Sequence, residues 1–148
     1  MAIMKTGVLA LFVLFSACEN NYPASKVPSV VLNTINGKFP GATDLDWEKK
    51  ANSYEAEFDL NGIEHTAFVE PGGVLIWHKH DIADAALPEQ VRMIINDQYK
   101  GYSLDEAEKV EKANVIYYQV ELQSKGKKDV QMVFSAEGIL TNDIAYLD

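Results

Sequence analysis

The sequence predicts an α+β fold, a tandem repeat of two helix-plus-antiparallel-sheet (α-β4) units. Two proline-led stretches carry apolar residues at every fourth position. Strictly alternating segments follow each of them, and the whole pattern recurs 60 to 65 residues later. Together these describe one helix and then four strands, twice.

The first stretch starts at Val27-Pro28 and places Val27, Val31, Ile35 and Phe39 on one helical stripe. The second starts at Leu87-Pro88 and repeats the stripe with Leu87, Val91, Ile95 and Tyr99. Proline belongs in the first turn of a helix, and the glycines at 41 and 101 suit the helix ends. From Tyr54 to Leu60 the chain alternates, with Tyr54, Ala56, Phe58 and Leu60 on one side and Glu55, Glu57 and Asp59 on the other. That period of two is a strand with one buried face. Asn61-Gly62 and Pro71-Gly72-Gly73 are hairpin signals, and connections this short make the neighbouring strands antiparallel. The predicted strands run over 45–50, 53–61, 63–70 and 73–80, then 105–112, 115–124, 128–135 and 138–145. Units of about 60 residues are thin, so residues 27–83 and 84–148 are expected to join as one composite domain over 27–148, leaving the sheet face away from the helices open.

Residues 1–18 (MAIMKTGVLALFVLFSAC) combine one lysine, a short apolar run and small residues before the only cysteine. The run is too short to span a membrane and suits a signal peptide. Ser16-Ala17-Cys18 resembles a bacterial lipobox, with Phe15 where leucine is more usual. That resemblance implies cleavage before Cys18, its lipidation, and an exported protein of the periplasm or outer membrane. Residues 19–26 read as a tether. The mature chain would hold no disulfide and no thiolate metal site.

The full chain of 148 residues carries 13 basic and 22 acidic side chains, a net charge of −9. Loss of Lys5 with the signal leaves 12 against 22, or −10. This balance argues against a nucleic-acid partner, which requires clustered cations. With 47% hydrophobic and 24% charged residues, the composition is that of an ordered globular chain.

Several segments are similar to the PepSY-like, beta-lactamase-inhibitor-like family of exported bacterial proteins. They are Val27-Pro28, FPGATDLDWEKK, YEAEF and NGIEHTAFVEPGGVLI, and the resemblance covers about residues 27–148. It implies a beta-lactamase-inhibitor-protein-like duplicated helix-plus-sheet fold and a cell-envelope location. It implies no established activity, because function resides in sites rather than in folds. The second unit departs from the pattern, with Tyr99-Lys100-Gly101 for Phe39-Pro40-Gly41 and Ala107 where Trp47 stands.

Three sets of residues are candidates for chemistry. His78 and His80 are two apart on a strand, so they share a side. With His65 on the preceding strand and Asp81 adjacent, they form a candidate N/O metal site. The row Glu55, Glu57 and Asp59 can face a cation or a basic partner, or be simply a solvated strand face. Phe68 and Trp77, with Tyr117 as their analogue, are expected on the same side as that row. There they would either anchor a partner or fill a seam between the units. No catalytic motif is present: there is no GxSxG, HExxH or phosphate-binding loop. The expectation is a non-enzymatic exported binding protein that takes an envelope protein or peptide on its open sheet face and uses no cofactor. The alternative is a periplasmic module for a small ligand or metal.

Overall fold

Pro28 and Pro88 are the N-caps of the two helices, α1 (Ser29–Lys38) and α2 (Glu89–Gln98), one position ahead of the predicted first turn. Their φ angles of −57° and −51° start the helical path, and their carbonyls accept the first helical N–H groups, from Val31 and Leu32 and from Val91 and Arg92. This computed structural model describes residues 21–148, so the predicted signal, Cys18 and the start of the tether lie outside the described residues. Within the described part of the tether, Ala24–Lys26 forms a short 3-10 turn and Tyr22 donates its N–H to the Trp47 carbonyl. A matching turn at Asp84–Ala86 precedes α2.

Four strands follow α1: β1 (Thr43–Lys50), β2 (Ser53–Leu60), β3 (Ile63–Val69) and β4 (Leu75–Asp81). Three follow α2: β5 (Ser103–Lys112), β6 (Val115–Gln123) and β7 (Val130–Ser135). All seven form one antiparallel sheet in chain order. The two halves of the sheet, β1–β4 (the first unit) and β5–β7 (the second), join edge to edge through β4 and β5, where Trp77 faces Lys112 and Asp81 faces Glu108.

The four-residue stripes are the core. Val27, Val31, Ile35 and Phe39 are buried against Trp47, Tyr54, Ala56, Phe58, Ala67 and Val69. Leu87 and Val91 pack against Ala107, Val120, Leu122, Met132 and Phe134, with Ile95 and Tyr99 partly buried beside them. Both helices therefore cover the same side of the sheet, each over its own strands.

The eighth predicted strand, 138–145, does not form; Leu140 makes a single bridge to Phe134 and the chain then leaves the ladder. The cause is local. The Asp143 N–H bonds to the Thr141 hydroxyl at 3.1 Å, a side-chain turn that competes with strand pairing. The last residues instead pass over the sheet face opposite the helices, where Ile144 packs on Val110 and Val133 with Tyr117, Tyr146 and Leu147 around it. That face is thus open over the first unit only, which corrects the expectation of an open face throughout.

Gly73 and Gly138 hold equivalent turns against the two helices, with φ of +84° and +78°. A Cβ at Gly73 would meet Val30 Cγ2 at 2.7 Å and Thr34 Oγ1 at 3.0 Å; one at Gly138 would meet Gln90 Cβ at 2.9 Å. Thr34 also donates its hydroxyl to the Gly73 carbonyl at 2.7 Å. Gly73→Ala combines a left-handed backbone with this clash, and we expect it to cost about 2–3 kcal/mol in urea unfolding. A cost below ~0.5 kcal/mol would show that the turn moves off the helix freely.

Candidate functional site

Alternation places the acidic row, Phe68, Trp77 and Tyr117 all on the side away from the helices, but only the first three groups adjoin. Glu55 lies opposite Phe68 and Phe68 opposite Trp77, while Tyr117 lies opposite Val110 and Ser135. The register near Gly73 is set by an irregularity at Ile76, which lets Leu75 face the helices while Trp77 faces away.

The Phe68 and Trp77 rings lie parallel within 4°, with centres 5.3 Å apart. Trp77 is only 7% exposed, whereas Phe68 is half-buried. The tryptophan therefore supports the pair from within and the phenylalanine presents it. The acidic row is graded in the same way. Glu55 is buried and bonded to Lys50 at 3.2 Å, Asp59 is half-buried and Glu57 is exposed. Tyr117 is separate from this patch and packs under the C-terminal segment.

Over the second unit the same face carries a buried polar centre that sequence reasoning missed. Lys79 Nζ lies 3.1 Å from Glu108 Oε1, and Gln119 Nε2 donates to Glu108 Oε2. Burial pushes the Glu108 carboxyl up, and Lys79 and the Gln119 bond pull it back. Gln119 also grips the backbone of Leu147 from both sides, donating to its carbonyl at 2.7 Å and accepting its N–H at 3.1 Å. Lys79 donates to the same carbonyl at 3.0 Å. Nearby, Tyr146 donates its hydroxyl to Glu106 at 3.1 Å, and burial with that carboxylate raises the phenol well above its usual range. Asp81, Glu106 and Glu108 bring carboxylate oxygens within 4.8 Å of one another. The clue in the sequence was Gln119, a neutral amide where the first unit has Glu55.

The three histidines meet on the helix side, between the two cores. His65 lies opposite His80, and His78 lies opposite Ala67 and Glu111. His65 Nδ1 and His78 Nε2 share a hydrogen bond of 2.8 Å in rings tilted by only 9°. Phe39 covers His78 with ring centres 4.6 Å apart, and Phe58 lies along His65 at 5.4 Å. Beside them runs a groove of about 760 Å³ whose lining includes Phe39, Gly73, His78 and Glu111.

Burial lowers His78 to about 4, with smaller contributions from His65, His80 and Lys109; burial and His80 lower His65 against Asp59 and Asp81. A folded value below the unfolded one stabilises the protein while the ring is neutral. This stability is full above about pH 6.5 and is lost as the pH falls through about 4. Measured by urea unfolding between about pH 7.5 and 4.5, the wild type should lose about 2 kcal/mol more than His78→Phe. Equal losses would mean that the ring charges without cost.

Among curated proteins none matches this sequence. Solved structures share its fold. A DUF2874 family protein from Bacteroides uniformis aligns at TM-score 0.69 with 18% identity, covering 76% of this chain and 85% of that one. A BLIP-like protein from Bacteroides fragilis aligns at 0.66 with 21% identity, covering 77% and 83%. A protein from Bacteroides eggerthii described as a putative periplasmic protein aligns at 0.71 with 15% identity, covering 77% and 85%. The sequence also matches one family twice, over residues 15–76 and 68–142, and each match takes in one helix with strands that follow it. The chain belongs to that family, described as "Putative beta-lactamase-inhibitor-like, PepSY-like".

Proposed function

We propose that this protein is a non-enzymatic binding module of the cell envelope, built as two tandem α-β units, that takes a peptide segment of a protein partner on the sheet face away from the helices. One observation carries the reading. The second half of that face already holds an irregular segment, residues 144–147, through a two-way grip of Gln119 on the backbone N–H and carbonyl of Leu147 and an apolar seat for Ile144. A side-chain amide that donates to the carbonyl and accepts from the N–H of one residue recognises peptide whatever its sequence. Beside it, over the first unit, Phe68 and the exposed Glu57 offer an aromatic anchor and a negative rim, which favour a partner with basic and apolar side chains.

The export reading draws on the apolar amino terminus with its Cys18 lipobox and on the periplasmic description of a structural neighbour. Radioactive fatty acid should label the wild type and not Cys18→Ser; equal labelling of both would remove the anchor. A photo-crosslinking residue at Glu57 should trap one discrete envelope partner in cells, and the same residue at Asn33, exposed on α1, should trap none. Capture from both positions, or from neither, would overturn the face assignment.

A further inference from the structure

We infer that His65, His78 and His80 form a binding site for one divalent transition-metal ion of the zinc, nickel and copper class, on the helix side of the sheet. All three histidines of the chain meet at this one place. They come from neighbouring central strands, two from β4 at alternate positions and one from β3 directly opposite. A strand pair can aim three imidazoles at one point in this way, because alternate residues share a face.

The spacing of the ring centres suits an ion, while the ring nitrogens of the three do not yet all lie within 4.8 Å of one another. The ring centres form a nearly regular triangle with sides of 5.1, 5.0 and 5.6 Å. The point equidistant from them lies about 3.0 Å from each centre. A ligated imidazole has its centre about 3.2 Å from the metal, a bond of 2.0–2.1 Å plus the ring radius. The facing nitrogens of His65 and His78 now share a 2.8 Å hydrogen bond, so ligation requires both rings to reorient from each other toward that point.

The donor chemistry agrees. His80 Nδ1 lies 3.0 Å from the Asp81 carbonyl, and a carbonyl only accepts, so Nδ1 carries the proton and Nε2 keeps its lone pair. A ring N–H held by a backbone carbonyl is the usual outer-shell partner of a metal-binding histidine. Between His65 and His78, one proton occupies the space that an ion takes when it displaces it. His78 opens on the large groove and His80 on a second hollow beside Ile63 and Ile82, so an ion has two approaches. The site lies on the other side of the sheet from the proposed peptide face, and each can fail without the other.

Calorimetric titration of the full chain with Zn²⁺, Ni²⁺ and Cu²⁺ tests this. One ion should bind per chain, with Cu²⁺ tightest, and Cu²⁺ should show nitrogen hyperfine splitting in its EPR spectrum. His65→Asn, His78→Asn and His80→Asn should each weaken binding by about tenfold or more, whereas Cys18→Ser and Glu106→Gln should leave it unchanged. If a buried-ring variant fails to fold, His80→Asn decides, since that ring is partly exposed. No binding by the wild type, full affinity in His80→Asn, or loss of binding in Cys18→Ser or Glu106→Gln would each overturn the assignment.

Discussion

Lys79→Met should destabilise the protein by about 3–5 kcal/mol at neutral pH, the cost of leaving a buried carboxylate without its counter-charge. Glu108 is 4% exposed, and the lysine also holds the Leu147 carbonyl, so the substitution removes two bonds at once. The Gln119 amide still bonds Glu108 but supplies no charge. Burial already raises the Glu108 carboxyl, and loss of Lys79, which lowers it, raises it further. A folded value above the unfolded one means that protonation stabilises. The deficit of the variant is therefore greatest above that folded value and shrinks as the pH falls through it. Urea unfolding at about pH 7.5 and 4.5 would read this as a narrowing gap to the wild type. The double variant Lys79→Met/Glu108→Met should recover much of the loss, because replacing both partners leaves no bare charge. A gap that stays constant with pH would mean that Glu108 reaches solvent without its partner.

Both cores and the sheet faces were legible in the sequence because each rests on a short period. Val31 and Ile35 are buried as their four-residue spacing requires, and Ala56 and Glu57 face opposite ways as alternation requires. Phe68 and Trp77 were placed on the acidic side correctly, although the irregularity at Ile76 that brings Trp77 there leaves no mark in composition. What the sequence concealed depends on distant pairing. Lys79 and Glu108 are 29 residues apart and adjoin only because β4 and β5 join the two units. The missing eighth strand was concealed for a different reason. Gly138-Ile139-Leu140 repeats Gly73-Val74-Leu75 closely, and the chain leaves the ladder where the Thr141 hydroxyl accepts the Asp143 N–H and Ile144 and Leu147 find partners on the other face. The three histidines are intermediate. Their common face follows from spacing, but their contact needs the β3–β4 register.

Ending the chain after Thr141 should cost about 4–6 kcal/mol and at the same time expose a peptide-binding surface. The lost segment includes Ile144, whose burial on Val110 and Val133 contributes about 1.5–3 kcal/mol, and the bonds of Leu147 to Gln119 and Lys79 contribute about 1 kcal/mol each. None of the residues removed belongs to either helix-side core, so the truncated chain keeps both and should unfold cooperatively at a lower temperature. A synthetic peptide of residues 142–148 (NDIAYLD) should then raise its melting temperature saturably, since a ligand that binds only the folded state stabilises by mass action. Gln119→Ala in the truncated chain should abolish that rescue while leaving the helix-side cores intact, because its amide makes the two-way contact with the Leu147 N–H and carbonyl. In the full chain the same substitution should cost about 1–3 kcal/mol, from the bonds lost and from Glu108 left with Lys79 alone. If truncation leaves the melting temperature unchanged and the peptide has no effect, the segment merely rests on the sheet, and this face loses its argument as a peptide receptor. If the rescue occurs and depends on Gln119, the face binds a peptide in trans in the same way that it holds its own residues 144–147.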